Sequence, residues 1–302
     1  MQIHSIFSRF LPVFLLFLTI FCQAQEKNLI ANDAKLTLLA DGYSFTEGPA
    51  SDKAGNVFFT DQPNDRILKW DVAIDSVTTY MQPSGRSNGL YVDDDGNLLS
   101  AADEKTALWS IDPDKNVSVL INAFADKKLN GPNDLWVDPR GGIYFTDPYY
   151  QRPWWTHTKP EQEAKRVYFL PKNAKKLQIV AENFQQPNGI IGTPNGATLY
   201  VSDIEDQKTY VFEISKDGQL KNRKLFAEMG SDGMTIDNQG NIYLTGNGVT
   251  IFNKNGEQIQ HIPVPQNWTA NVTFGGADQK TLFITASESV YTLKMKVHGV
   301  RW

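Results

Sequence analysis

The chain has 302 residues, of which 41% are hydrophobic, 21% charged and 12% aromatic, and this composition excludes disordered and fibrous proteins. Its 29 Lys and Arg residues and 34 Asp and Glu residues give a formal net charge of −5. No long basic block is present, so we expect no nucleic-acid-binding surface.

The first 24 residues predict a secretory signal peptide. Arg9 supplies a positive charge, residues 11–21 form an apolar run, and Cys22 and Ala24 are small residues at the positions that signal peptidase reads. The run is short for a stable membrane span, so we expect cleavage after Ala24 and export to the periplasm. Lipoprotein anchoring at Cys22 is the alternative, although Phe21 stands where that pathway prefers a small residue.

Cleavage would remove the only cysteine and change the net charge from −5 to −6, because Arg9 is the only charged residue in the leader. The remaining chain, residues 25–302, would then have no disulfide, no thiolate nucleophile and no cysteine metal site.

A unit of about 40–45 residues recurs six times in this remaining chain. Each copy opens with a polar residue, continues into a strand, turns on Asp, Asn or Gly, and enters a second strand that in most copies ends in Thr or Ser. The opening residues are separated by 41, 45, 55, 44 and 39 positions, and they are Glu47, Asn88, Asn133, Asn188, Asp232 and Asn271.

Repeats of this kind predict an all-β protein, a six-bladed β-propeller formed by residues 25–302 as a single domain. The last copy provides only three strands, whereas residues 35–40 form a strand without a partner ahead of the first copy. We expect this strand to complete the sixth blade, because pairing there closes the ring and removes an exposed sheet edge.

The opening residues predict a metal site at one mouth of the central channel. The first strand of each blade lines the channel, so the six opening side chains should converge there. Turn preference explains Asn and Asp at such positions but does not explain Glu47. Glu47 and Asp232 would repel each other without a cation between them. Oxygen ligands favour Ca²⁺, with Mg²⁺, Mn²⁺ or Zn²⁺ as alternatives, and the four histidines lack zinc-ligand spacing.

A second group of carboxyl groups should lie at the same mouth. The first two strands of a blade are antiparallel, so the end of the second strand lies beside the start of the first. Asp61, Asp103, Asp147 and Asp203 follow second strands. Asp147 and Asp203 are the candidates for a catalytic role among them, since their blades open with Asn133 and Asn188.

The third copy is about ten residues longer than its neighbours, and the excess lies at residues 149–157, directly after Asp147. We expect this loop to overhang the same mouth, with Arg152, Trp154, Trp155 and His157 contacting the substrate. Exposed aromatic side chains there would be typical of a lid that stacks on sugars. The alternative is that the Trp side chains fill a gap between two blades.

Six short motifs appear in order: Thr-Glu-Gly-Pro at 46–49, Leu-Asn-Gly-Pro-Asn-Asp-Leu at 129–135, Tyr-Phe-Thr-Asp-Pro at 144–148, Gln-Pro-Asn-Gly-Ile at 186–190, Ser-Asp-Gly-Met at 231–234 and Thr-Phe-Gly-Gly at 273–276. With them the chain resembles, over residues 41–292, the senescence-marker-protein/gluconolactonase family, which includes regucalcin-like lactonases and bacterial sugar lactonases. The resemblance implies a six-bladed propeller with one divalent metal near the axis. It implies ligation by Glu47, Asn188 and Asp232, and makes Asn133 a ligand or a substrate contact.

Two departures from the family leave the substrate open. The regucalcin branch has an arginine two residues before the asparagine that corresponds to Asn133, and Gly131 stands there in this chain. Many bacterial members carry a histidine-bearing motif after the second strand of blade two, whereas residues 101–104 contain no histidine.

The resemblance favours metal-dependent hydrolysis of a sugar lactone to its aldonic acid, with a metal-polarised carbonyl and a carboxylate-activated water. Asp232 matches the residue that usually acts as base in the family, and Asp147 and Asp203 are the alternatives. The further substrate-binding candidates are Asn88, Asn130, Asn133 and Asp147.

Two other functions stay open: hydrolysis of other esters or phosphotriesters at the same metal, and a non-catalytic binding module with a structural ion. In the favoured case the partner is a small sugar lactone, with no stable membrane span. The sequence does not predict the oligomeric state.

Overall fold

The computed structural model describes residues 28–301. The predicted signal peptide, residues 1–24, lies outside the described residues. Within residues 28–301 no helix has both the length and the apolar character needed to cross a bilayer.

Six four-stranded antiparallel sheets make up the fold, which confirms the predicted all-β propeller. The chain begins with β1 (Thr37–Asp41). Blade 1 contains β2 (Thr46–Ser51), β3 (Val57–Asp61), β4 (Arg66–Asp71) and β5 (Ser76–Met81). Blade 2 contains β6 (Ser87–Val92), β7 (Leu98–Ala102), β8 (Ala107–Ile111) and β9 (Val117–Ile121). A two-stranded hairpin follows, formed by β10 (Ala123–Phe124) and β11 (Lys127–Lys128).

The remaining blades follow the same order. Blade 3 contains β12 (Leu135–Val137), β13 (Ile143–Asp147), β14 (Arg166–Leu170) and β15 (Gln178–Ala181). Blade 4 contains β16 (Pro187–Gly192), β17 (Thr198–Asp203), β18 (Lys208–Ile214) and β19 (Leu220–Ala227). Blade 5 contains β20 (Met234–Ile236), β21 (Ile242–Gly246), β22 (Gly248–Phe252) and β23 (Gln258–Ile262). Blade 6 takes β24 (Thr269–Gly275), β25 (Thr281–Ala286) and β26 (Ser289–Lys294).

The sixth blade is completed by β1, as the sequence predicted. Its strand order is β1-β26-β25-β24, and Thr37 pairs with Thr292 in an antiparallel register. The first and last parts of the chain therefore share one sheet, and the ring has no open edge at the seam.

Hydroxyl side chains near the ends of the second strands connect neighbouring blades. Thr60 donates its hydroxyl to the carbonyl of Asn88 (3.2 Å), and Thr146 donates to the carbonyl of Asn188 (2.8 Å). These threonines are fully buried, so the bonds satisfy backbone groups that water does not reach. The recurrent Thr therefore helps to fix the opening residue of the next blade.

The insertion in blade 3 is longer than the sequence analysis expected. It covers residues 148–165, between β13 and β14, and is called the inserted loop below. The hairpin β10–β11 was not predicted, and it anchors this loop. Gln162 is buried and donates its amide hydrogens to the carbonyls of Phe124 (3.1 Å), Lys127 (3.0 Å) and Lys128 (3.0 Å).

Candidate active site

Glu47 and Asp232 lie together at one mouth of the channel, called the acidic mouth below. Both side chains are buried, although one belongs to blade 1 and the other precedes β20. Burial raises the pKa of Glu47 well above its usual range, and the nearby charge of Asp232 raises it further. Burial also raises the pKa of Asp232, to about 6, while a hydrogen bond with Glu47 works in the opposite direction. A shared proton or a cation would relieve this repulsion.

Both oxygens of Asp232 accept hydrogen bonds from neutral donors. Asn188 donates from Nδ2 to Oδ1 (2.7 Å), and the indole nitrogen of Trp268 donates to Oδ2 (2.6 Å). Neutral donors orient a carboxylate without cancelling its charge. Asp232 is therefore held in one orientation, and its negative charge is available to a cation or a proton.

The side chain of Asn188 is oriented so that its amide oxygen accepts no hydrogen bond from the described residues. Its Nδ2 also donates to the hydroxyl of Tyr150 (2.9 Å), so both amide hydrogens are used. Its Oδ1 is buried and has no hydrogen-bond partner among residues 28–301. A buried acceptor without a donor fits a cation ligand.

The donor set suits a hard divalent cation. Within residues 28–301 no three His, Cys, Asp or Glu side chains group together as a metal site. A cation between Glu47 and Asp232 must therefore take amide oxygens such as Asn188 Oδ1 as well. Such a set of carboxylate and amide oxygens is typical of Ca²⁺ ligation.

Asn133 and Asn88 lie at neighbouring positions around the channel. The amide of Gly89 donates to the carbonyl of Asn133 (2.7 Å), and a Cβ at Gly89 would lie 2.6 Å from that oxygen. Asn133 and Asn88 are buried, and neither side chain has a hydrogen bond within the described part of the chain. Their predicted roles as ligand and substrate contact stay predictions.

Asp134 and Asn271 belong to the same cluster. Asn271 was expected at this mouth as an opening residue but was not predicted to be a ligand or a substrate contact, and Asp134 was not among the predicted site residues. Asn271 donates from Nδ2 to Glu47 Oε2 (3.3 Å) and also hydrogen-bonds the carboxyl group of Asp134. Its Oδ1 accepts the amide hydrogen of Val272 (2.8 Å), which turns the nitrogen toward the two carboxyl groups. Burial raises the pKa of Asp134 to about 7. The available signals were that Asp134 follows Asn133 and that Asn271 opens the sixth copy.

The second group of carboxyl groups has a different environment from the one expected. Asp147 is fully buried and accepts the amide hydrogens of Asn130 and Gly131, each at 3.0 Å. Asp203 likewise accepts those of Gln185 and Gln186, each at 2.7 Å. Both carboxyl groups hold the segment that leads into their own blade. A catalytic role for either stays a prediction.

The inserted loop reaches the acidic mouth. Its Tyr150 contacts Asn188, and the Nε of Arg152 lies 3.3 Å from Oδ2 of Asp103. The guanidinium group of Arg152 lies 5.2 Å from the ring centre of Tyr150, and its charge opposes the rise in the pKa of Asp232. Arg152 is therefore placed where it could contact a bound molecule.

The two tryptophans of the loop differ. Trp155 is buried and stacks on His157, with ring centres 4.6 Å apart. A Cβ at Gly131 would lie 2.9 Å from its indole, which explains why glycine occupies that position. Trp154 is half-buried, with the guanidinium of Arg152 5.6 Å from its ring centre. Trp155 therefore fits the packing alternative, whereas Trp154 is partly exposed and lies between the guanidinium groups of Arg86 and Arg152.

Asn130 joins the loop to the blade. Its Nδ2 donates to the carbonyls of Asp147 (3.3 Å) and Ala164 (3.1 Å). Its Oδ1 is buried and has no partner within residues 28–301, so it could accept a hydrogen bond from a ligand.

A cavity of about 520 Å³ opens from the opposite face and extends as far as Asp134 and Asn271. Arg301 lines it, with its guanidinium 4.2 Å from the ring centre of Tyr91 and 3.1 Å from the carboxylate of Asp94. Asp134 and Asn271 therefore lie between this cavity and the acidic mouth.

Comparisons with known proteins agree with the propeller fold. Residues 45–288 match the family described as the SMP-30/Gluconolactonase/LRE-like region. The chain is 30% identical to a gluconolactonase of Zymomonas mobilis, with 87% of this chain and 82% of that protein covered. A gluconolactonase structure from Xanthomonas campestris superposes with a TM-score of 0.82 at 31% identity, covering 88% and 91% of the two chains. A calcium-binding protein, regucalcin, from Agrobacterium tumefaciens shares the fold, with a TM-score of 0.74, 20% identity and 88% and 96% covered. The chain therefore belongs to the SMP-30/gluconolactonase family.

Proposed function

We propose that the protein hydrolyses a sugar lactone to the corresponding aldonic acid at the acidic mouth. The observation that carries this proposal is the state of Asp232. Its carboxyl group is buried beside Glu47, and both of its oxygens are held by neutral donors. A base must be oriented toward the proton that it accepts, and Asn188 and Trp268 provide that orientation without cancelling the charge of Asp232. Membership in a family that contains gluconolactonases supports the same activity.

The residues present suit a divalent cation. Glu47, Asn188 and Asp232 would hold it, with Asn133 as the further candidate. When bound, the cation would supply Lewis-acid polarisation of the lactone carbonyl. We propose Ca²⁺, because the donors are carboxylate and amide oxygens; the three histidines among the described residues take no part in the cluster.

The side chains have separate tasks in this reaction. A carboxylate oxygen of Asp232 accepts the proton of the water that attacks the carbonyl carbon. Asn188 and Trp268 keep that carboxylate oriented, and Asn271 holds Glu47. Groups held in this way lower the activation free energy, because they need no rearrangement at the moment of reaction.

The inserted loop provides polar contacts for the substrate. Arg152 can donate hydrogen bonds, and Asn130 Oδ1 can accept one. Trp154 adds an aromatic surface beside Arg152. We propose that these residues select among sugar lactones, and that the predicted signal peptide directs the protein to the periplasm.

The test is turnover by the purified chain from residue 25 onward. We expect hydrolysis of an aldonolactone, loss of activity with a chelator, and recovery on adding Ca²⁺. A panel of phosphotriesters and simple esters run in parallel distinguishes the related hydrolase function. Absence of turnover on every substrate, together with Ca²⁺-dependent thermal stabilisation, would instead identify a binding module with a structural ion.

A further inference from the structure

Trp268 has an unusual position at the acidic mouth. It is one of the few large hydrophobic side chains that are exposed in the described part of the chain, with 36% of its surface accessible. Its indole nitrogen nevertheless lies 2.6 Å from Asp232 Oδ2, and its backbone carbonyl accepts the hydroxyl hydrogen of Ser287 (3.1 Å). One edge of the indole is therefore fixed, while a large part of its surface is open to solvent.

The neighbouring blade leaves room beside this indole. In blades 1, 3 and 4 the second strand ends in Asp61, Asp147 and Asp203, whereas in blade 5 it ends in Gly246. A Cβ at Gly246 would still lie 3.9 Å from the Cη2 atom of Trp268. This sector of the mouth therefore presents an aromatic surface where three other blades place a carboxyl group.

The short bond to Asp232 limits where a substrate can lie. The attacking water must lie within hydrogen-bond reach of Asp232, about 3 Å, so the carbonyl carbon that it attacks is also near the indole of Trp268. In a cyclic ester this carbonyl carbon is itself a ring atom, so the ring is brought close to the indole. Sugar rings offer a face of C–H groups, and such apolar faces pack well on aromatic side chains.

We propose that Trp268 forms a ring-stacking subsite for the lactone. The indole N–H ties this subsite to Asp232, so the ring and the base keep a fixed spacing. Lactones with a five- or six-membered ring fit this arrangement, whereas the carbonyl carbon of an acyclic ester is not a ring atom. The proposal rests on the proposed function and adds the residue that receives the ring.

This subsite is separate from the inserted loop. A chain of hydrogen bonds runs from Tyr150 through Asn188 and Asp232 to Trp268. The loop residue stands at one end of this chain and Trp268 at the other. A ring stacked on Trp268 would therefore be approached by the loop from the opposite side of Asp232.

The test compares Trp268→Leu and Trp268→Phe, both saturated with Ca²⁺. Trp268→Leu removes the aromatic face and the N–H, and we expect KM for an aldonolactone to rise at least about tenfold, the effect of about 1.4 kcal/mol. Trp268→Phe keeps an aromatic face but loses the N–H, so KM should stay within about threefold while kcat falls. A loss of kcat alone in Trp268→Leu would overturn the stacking subsite.

A matched control and a binding measurement separate this outcome from a general loss of stability. Trp70 also donates its indole N–H to a carboxylate, Asp75 Oδ1 (2.9 Å), on the outer part of blade 1, so Trp70→Phe should leave both KM and kcat unchanged. Calorimetric titration with an aldonolactam, which keeps the ring but resists hydrolysis, should show at least about tenfold weaker binding to Trp268→Leu only.

The lactam titration also keeps the two proposals distinguishable. If the wild-type protein binds the lactam through Trp268 but hydrolyses no lactone, the subsite is supported and the proposed activity is overturned. If the wild-type protein hydrolyses lactones and the lactam affinity is unchanged in Trp268→Leu and Trp268→Phe, the activity is supported and the subsite is overturned.

Discussion

Two sets of buried carboxyl groups surround the acidic mouth, and they differ in the donors that contact them. The rim set, Asp61, Asp147 and Asp203, accepts backbone amide hydrogens from the segment that enters the same blade. The axial set, Glu47, Asp134 and Asp232, is contacted by side chains from other blades, as when Asn188 and Trp268 donate to Asp232. Burial alone therefore does not identify the base, because it is common to both sets. Glu47 and Asp134 also accept a backbone amide hydrogen each, so what distinguishes the axial set is the side-chain donors from other blades.

The largest effect is expected at Asp232. Asp232→Asn keeps a ligand oxygen but removes the charge and the basicity, so kcat should fall by about 10²–10⁴, the usual contribution of a positioned base. Excess Ca²⁺ should not restore it. Full recovery at saturating Ca²⁺ would make Asp232 a ligand only and would move the search for the base to the rim set.

A smaller and reversible effect is expected at Glu47. Glu47→Gln removes one negative charge from the cation site, so the Kd for Ca²⁺ should rise by about 10–100-fold. Because Glu47 has no proton-transfer role in our proposal, kcat should recover at saturating Ca²⁺. Titration of the chelated protein with Ca²⁺, followed by activity, measures both values, and an unrecoverable loss of kcat would contradict this division.

The inserted loop should show the same contrast between a packing residue and a mouth residue. Trp155→Ala creates a cavity and should cost about 3–5 kcal/mol of unfolding free energy, with similar loss on every lactone. Trp154→Ala should leave the Tm nearly unchanged and alter the ranking of lactones by several-fold. Equal behaviour of the two variants in a melting assay and a lactone panel would remove this distinction.

The rim set should affect stability more than turnover. In Asp147→Asn and Asp203→Asn one carboxylate oxygen becomes an amide nitrogen that faces a backbone N–H, which should cost about 1–3 kcal/mol. Turnover at saturating Ca²⁺ should stay within a few-fold of wild type. Asp61→Asn is the comparison variant, since Asp61 also accepts two backbone amide hydrogens from the segment that enters its blade, although its other oxygen pairs with Arg66. Loss of turnover in Asp147→Asn or Asp203→Asn, without loss in Asp61→Asn, would reassign the base.

The smallest effect concerns the pH dependence of stability in the metal-free protein. The pKa values of Asp134 and Asp147 are raised to about 7 and that of Asp232 to about 6, chiefly by burial. The folded state therefore binds protons more tightly than the unfolded chain, and stability should be lost as pH rises from about 4 to about 7. A cation bound as proposed would stabilise the ionised groups of the axial set, so added Ca²⁺ should flatten this slope. Thermal melts between pH 5 and 8, with chelator or with Ca²⁺, check the sign.

The sequence predicted the features that depend on local pattern. Turn residues and alternating strands identified the six blades, and the unpaired strand before Glu47 predicted the closure that β1 provides. Contacts between distant residues were not predictable in this way. Trp268 meets Asp232 across 36 positions, and Asn271 meets Glu47 across 224. The backbone donors of Asp147 were likewise not predictable, because the sequence does not show whether an Asp at the end of a strand faces the mouth or binds backbone amides of its own blade.

The seam of the ring has a consequence for how the chain is made. Residues that meet at the acidic mouth come from both sides of this seam, since Glu47 lies in β2 and Asn271 in β24. The ribosome synthesises the first blade long before the last, so β1 has no pairing partner until β26 has been made. Until then the growing chain exposes strand edges that could pair with other chains, and Glu47 and Asp232 lack the hydrogen bonds of Asn271 and Trp268. Final orientation of the two carboxyl groups is therefore a late event in biosynthesis, and loss of the last blade would leave both without these donors.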